Sequence, residues 1–191
     1  MRQGKMLRTV GSIAADPENE FVLIGTAVLF NNTITIAERD GWKITEEIAP
    51  TACDNALARP DDVRCLLNHN PDLIFGRNLA DNLVLWKDEK GLNFRDTLEP
   101  EIDWHANYWK AVQRKDLTQC SFAFSIDGEE KIRRDYGTHY IITDMHLYDV
   151  SVVTYPAYAD TTAYARDLDG AGRLRIEEKD FSVLQAEIDL L

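Results

Sequence analysis

The sequence predicts a mainly β domain with several helices, an α+β pattern, over residues 1–165, with elements recognisable from about residue 10. Residues 166–191 form a charged C-terminal tail with a short amphipathic helix. Three observations carry this fold class. Phe21 to Phe30 is apolar almost throughout, as a strand covered on both faces requires. Cys120 to Ile126 alternates bulky apolar and small residues with period two. Leu147 to Tyr155 is rich in valine and stops at Pro156.

The elements follow in order. After the strand at 21–30, Asn31-Asn32 reads as a turn and Thr33 to Ala37 as a short β-branched strand. Thr45 to Ala49 runs into Pro50, and a short helix fits Thr51 to Ala58. Val63 to Asn68 is a strand that ends in the loop-forming cluster Asn68-His69-Asn70-Pro71. Leu83 to Asp88 and Leu92 to Asp96 flank Glu89-Lys90-Gly91, the pattern of a hairpin with glycine in the turn. Asp103 to Arg114 is a helix capped by Asp103, with Trp104, Tyr108 and Ala111 at helical spacing. Tyr140 to Thr143 and Leu147 to Tyr155 are two further strands. In the tail, Gly170-Ala171-Gly172 reads as a hinge, and Phe181, Leu184, Ile188 and Leu191 line one face of a terminal helix.

Composition excludes several classes of function. The chain has 191 residues, 45% apolar and 28% charged, as a soluble globular domain does. Its net charge of -12 is the opposite of what a duplex or an anionic membrane surface attracts, so neither nucleic acid nor membrane is expected as a partner. No run of 18 apolar residues exists to span a bilayer. The basic N-terminus lacks the apolar core of a signal peptide. Cys53, Cys65 and Cys120 are odd in number and irregular in spacing, which points to a reducing cytoplasm rather than a disulfide framework.

Three segments could carry chemistry. His69 stands where an apolar strand meets a loop, a place that fixes a side chain yet leaves it accessible; it is equally a surface histidine capping a turn. Ser121, Ala123 and Ser125 face away from Cys120, Phe122, Phe124 and Ile126, so Ser121 is positioned for an open cleft or, more plainly, belongs to the polar face of a half-buried strand. Asp149 and Ser151 share a face with Leu147 and Val153. A carboxylate in a Val-rich strand is costly unless paired, although an exposed edge strand would also tolerate it.

Taken together, Asn68-His69-Asn70-Pro71 with Phe75-Gly76-Arg77, then Cys120-Ser121-Phe122-Ala123-Phe124, then Tyr148-Asp149-Val150-Ser151 through Tyr158 resemble the tailed-phage prohead proteases. Leu23 to Phe30 and Glu46 to Pro50 fit the same family, so the resemblance spans roughly residues 7–165. It implies a serine endopeptidase with a fold like the herpesvirus assemblins, a closed or partly closed β-barrel flanked by helices. It also implies His69 as general base, Ser121 as nucleophile and Asp149 as the acid that orients the imidazole. Family members usually carry Glu where this chain has Asp149, Gly where it has Ala123 and Met where it has Cys120. The implied substrates are the major capsid protein precursor with its scaffold segment, and the protease itself. The implied place is the host cytoplasm, inside the assembling procapsid, with self-association possible and no cofactor required. A catalytically inactive assembly protein that keeps the fold is the alternative.

Other assignments stay in play. In assemblins the third member of the triad is a histidine, so His139 and His146 stand behind Asp149, with His146 expected on the opposite strand face. His69, His105, His139 and His146 lack the spacing of a zinc site, so no metal is expected. Cys65 and Cys120 read as core packing rather than as thiol nucleophiles. Arg77, Arg133 and Arg134 read as solvated or salt-bridged cations. No residue is assigned to an oxyanion hole.

Overall fold

A computed structural model describes residues 4–59 and 61–155, together with two short strands further on. Ten strands join in one sheet. They are β1 (Met6–Ala15), β2 (Val22–Leu29), β3 (Ile34–Arg39), β4 (Trp42–Ile48), β5 (Arg64–Leu67), β6 (Asn70–Arg77), β7 (Leu83–Lys87), β8 (Gly91–Thr97), β9 (Gln119–Arg134) and β10 (Gly137–Val153). The helices are α1 (Asp54–Ala58) and α2 (Asp103–Gln113). Beyond them β11 (Asp167–Leu168) pairs antiparallel with β12 (Leu174–Arg175). The apolar stripe from Phe181 to Leu191 and the Gly170–Gly172 hinge lie outside the described residues.

The main path runs β3-β4-β10-β9-β1-β2-β8-β7, and β5 branches from β10 to pair with β6. β10 is long enough to take two parallel neighbours in succession. Its start pairs with β4 over Gly137–Ile142 and its end with β5 over Asp149–Val152. The expected strands at 140–143 and 147–155 are therefore one element, since Asp144, Met145 and His146 between them keep pairing with β9.

The sheet does not close into a barrel. β6 comes close to β8 without a ladder between them: a Cβ on Gly76 would stand 1.9 Å from Asp96 Oδ1. Only glycine lets the β6 backbone approach so closely. The Asp96 side chain fills this seam where backbone hydrogen bonds would otherwise close the wall.

Both faces of β2 are largely covered, as its apolar run requires: Leu23, Ala27 and Val28 are completely buried. They join Leu92 and Phe94 of β8, Phe122 and Phe124 of β9 and Val150 and Val152 of β10 in one core. Each of these leucine, valine and phenylalanine side chains contributes about 1.5–3 kcal/mol on leaving water. Helix α2 covers one end of this core. Trp109 stacks on Phe21 at 4.6 Å and Trp104 meets Phe75 at 4.7 Å. Its fully buried positions are His105, Trp109 and Val112, while the expected stripe of Trp104, Tyr108 and Ala111 packs at its margin. Asp103 is the first helical residue rather than the cap; Ile102 occupies the cap without a side-chain bond.

Candidate active site

The turn after β5 decides where His69 points. Leu67 pairs directly with Asn70, so the loop between β5 and β6 has two residues, Asn68 and His69. Their φ angles are 52° and 58°. A two-residue hairpin of type I′ demands positive φ at both central positions. Asparagine tolerates this; histidine does so at a cost, here met by the bonds its ring makes. Pro71 does not prevent β6 from starting at Asn70, so the expected loop is a tight turn with a strand after it.

Asn68 ties that turn to the end of β10. Its backbone N–H donates to Val152 O at 2.8 Å. Its side-chain Oδ1 accepts from the Thr154 N–H at 2.8 Å, and Nδ2 donates to Thr154 Oγ1 at 3.1 Å. Asn68→Ala removes this clamp and the residue best suited to the left-handed region. It is expected to lower stability by about 1–3 kcal/mol, read from the urea midpoint. Asn68→Gly, which keeps the backbone free, is expected to cost less.

Ser121 lies on β9 between Thr9 of β1 and Ser151 of β10. Asp149 lies two residues before Ser151 on β10, opposite Ala123. The register explains why it is not in the core with Leu147. Leu147 pairs with Phe124 and Asp149 with Ala123, so Tyr148 is an extra residue bulged out of the ladder. Strict alternation had put Asp149 and Leu147 on one face; the bulge separates them. It also brings His146, opposite Ser125, onto the face of Asp149.

The three side chains form one hydrogen-bonded line. His69 Nδ1 stands 2.6 Å from Asp149 Oδ1, and His69 Nε2 stands 2.8 Å from Ser121 Oγ. A carboxylate only accepts, so Nδ1 carries the proton and donates. In the neutral ring Nε2 is then an acceptor facing the serine hydroxyl. The Arg8 carbonyl oxygen is a second acceptor for that hydroxyl, at 2.9 Å. One proton serves two acceptors.

Asp149 is 1% exposed, and burial alone would push its carboxyl up. The hydrogen bond and charge of His69, then Lys5 and the Ser151 hydroxyl, outweigh that and hold it below the ordinary carboxylate value. Ser151 Oγ donates to Oδ1 at 2.7 Å, and Lys5 Nζ reaches Oδ2 at 3.0 Å.

The open cleft expected around Ser121 is not formed. Ser121 is 1% exposed and Ala123 completely buried. The alternating strand is covered on both sides here, because β9 is flanked by β1 and β10 and overlaid by the His69 turn.

The remaining histidines and the cysteines are engaged elsewhere. His139 Nδ1 meets Thr45 Oγ1 at 2.8 Å, at the opposite end of β10 from Asp149. His146 Nδ1 pairs with Asp61 at 3.2 Å. His105 accepts from the Glu99 N–H and donates to Ile74 O, and burial depresses its pKa. Burial pushes the Cys53 thiol up to about 12 and raises Cys65 and Cys120 as well, so none of the three is a thiolate at neutral pH. Arg77 forks onto Asp62 at 2.5 and 2.8 Å. Among the described residues no group of three or more His, Cys, Asp or Glu side chains is placed to hold a metal ion. No helix among them is long and apolar enough to cross a membrane.

The model of one protein family, described as caudovirus prohead serine protease, matches residues 10–172. The chain belongs to that family. No curated protein and no solved structure gives a significant match. The family match takes in His69, Ser121 and Asp149 but begins after Lys5 and Arg8. Those two residues were missed because β1 was not recognised. Its alternation is broken by a bulge, where Thr9 pairs with Ser121 and Gly11 with Cys120. With β1 in view, Arg8 is a buried partner of Glu46, at 2.7 and 3.0 Å.

Proposed function

We propose that this prohead protease family member is an active serine endopeptidase. It cleaves the capsid precursor, its scaffold segment and the protease chain itself, within the procapsid in the host cytoplasm. The observation that supports this best is the unbroken line Asp149–His69–Ser121, with each contact within hydrogen-bond reach. In this reading His69 Nε2 takes the Ser121 proton as Oγ attacks the scissile carbonyl. Asp149 holds the imidazole in the Nδ1–H tautomer and offsets the imidazolium that forms. The imidazolium returns its proton to the leaving amine, and the C–N bond breaks to leave an acyl-serine. Water, deprotonated by His69, then hydrolyses the ester and restores Ser121. The kinship in fold with the assemblins rests on the motif resemblance.

The experiment is coexpression with the capsid precursor. Wild-type chain is expected to shorten the precursor, by intact mass, and Ser121→Ala is expected to leave it full length. Trimming that persists with Ser121→Ala in a host lacking other phage proteins would refute the reading.

One observation favours a second reading, a non-catalytic assembly protein: Ser121 is 1% exposed. A fluorophosphonate that esterifies Ser121 in the assembled procapsid supports the protease. Inertness there, with assembly intact, supports the second reading.

A further inference from the structure

The Asp149 carboxylate has three donors around it, and only two belong to the neighbourhood that the motifs describe. The third, Lys5, is the residue just before β1, 144 residues away in sequence. We propose that Lys5 is a positioning residue for this site: its ammonium locks the second oxygen of Asp149 so that the first stays on His69 Nδ1. The proposal rests on the reading of Ser121, His69 and Asp149 as a triad.

The geometry argues for more than a surface ion pair. Asp149 is 1% exposed and the Lys5 side chain 34%, so water reaches only the lysine, whereas in a fully exposed Lys–Asp pair it competes for both charges. Oδ1 is shared by His69 Nδ1 and Ser151 Oγ, at 2.6 and 2.7 Å. Oδ2 receives Lys5 at 3.0 Å. Rotating the carboxylate about its Cβ–Cγ bond would break all three contacts at once, so Lys5 removes the freedom most harmful to the tautomer. The ammonium is itself placed. It lies 5.4 Å from the centroid of the Tyr148 ring, and Tyr148 is the bulged residue that sets the face of Asp149. Tyr148 is held in turn by Ser125 Oγ, 3.2 Å from its hydroxyl.

Lys5 also carries charge to where charge changes. With neutral imidazole, Lys5 and Asp149 balance. When His69 takes the serine proton, the cluster gains one positive charge. Lys5 therefore balances the Asp149 charge at rest, and its part in the site is to hold Oδ2. The other titratable groups around Asp149 do not share this task. Cys65 on β5 and Cys120 on β9 are thiols that burial keeps neutral. His146, farther along β10, is engaged by Asp61.

The test compares wild type, Lys5→Met and Lys5→Arg in the full chain. The rate of fluorophosphonate reaction at Ser121 is followed, and the Nδ1–H signal and ring-nitrogen shifts of His69 are read by NMR in a Ser121→Ala background. The NMR arm needs no catalysis. Lys5→Met is expected to weaken the Nδ1–H signal, because the carboxylate is no longer held on it, and to lower the rate about tenfold. Lys5→Arg is expected to restore the wild-type signal and rate. Thermal melting, and Lys5→Gln if Lys5→Met does not fold, separate this from loss of structure. An unchanged Nδ1–H signal in folded Lys5→Met or Lys5→Gln overturns the proposal, even if the rate falls, and leaves Lys5 as a chain anchor. If the signal weakens as expected while wild type never reacts with the reagent, the protease reading fails and the Lys5–Asp149–His69 coupling stands.

Discussion

Asp149→Asn is expected to lower the rate of precursor cleavage about 10³–10⁴-fold while leaving the fold intact. The amide is isosteric with the carboxylate, so packing in this buried position is kept. Its chemistry is not. Lys5 donates to the Oδ2 position and would draw the amide oxygen toward itself. The NH₂ group would then face His69 Nδ1, which must become the acceptor. The ring proton moves to Nε2 and points at Ser121 Oγ, which can no longer pass its own proton there. Cleavage of the coexpressed precursor, quantified over time, checks this. A loss of less than about tenfold would mean that Asp149 does not set the tautomer.

Wild type is expected to lose stability between about pH 4 and pH 7 through Asp96, and Asp96→Asn is expected to abolish that dependence. Asp96 is completely buried at the seam between β6 and β8, and neither of its oxygens has a hydrogen-bond partner of ordinary geometry. Burial pushes its pKa up to about 7; contact with the Cys65 thiol pulls the other way and does not offset it. The folded state thus keeps a proton that the unfolded chain gives up near the ordinary value of 3.8. This group destabilises the fold progressively as pH rises from about 4, and the cost is complete once pH passes about 7. That interval corresponds to something on the order of 4 kcal/mol. Asp149 acts with the opposite sign: its depressed pKa stabilises the fold above the ordinary carboxylate value, and this is lost as pH falls through the folded one. Urea midpoints of wild type and Asp96→Asn at pH 4.5 and 8 separate the two groups. Equal slopes in both proteins would mean that Asp96 is charged in the folded state at neutral pH.

Much of this architecture is legible in local pattern. The apolar run of β2, the glycine hairpin of β7 and β8, the length of α2 and the inward phenylalanines of β9 all follow from period and turn chemistry, because each is decided within a few residues. What escapes the pattern is decided by pairing. β1 alternates only on either side of its bulge, so no window over it shows a clean period. β4 and β5 join β10 in parallel, a choice that no turn residue announces. The His69 turn looks like an irregular loop because asparagine and histidine, rather than Asn-Gly, fill its two positive-φ positions. In the candidate site, the neighbouring motifs single out His69, Ser121 and Asp149, and the fold brings these three side chains into contact. Ser151 was placed beside Asp149 but without its hydrogen bond, Arg8 lies on the strand that was not seen, and Lys5 immediately precedes it.

The bulge at Tyr148 gives β10 something like a reading frame. Before it, the residues that face Ser125 and its neighbours are counted from His146; after it, they are counted from Asp149 and Ser151. A ladder in which Tyr148 paired with Ala123 instead of bulging out would leave every side chain chemically intact. It would nonetheless turn Val150 toward His69 and Asp149 toward Phe122. At this strand the register of residues carries as much information as their identity, and the site depends on both.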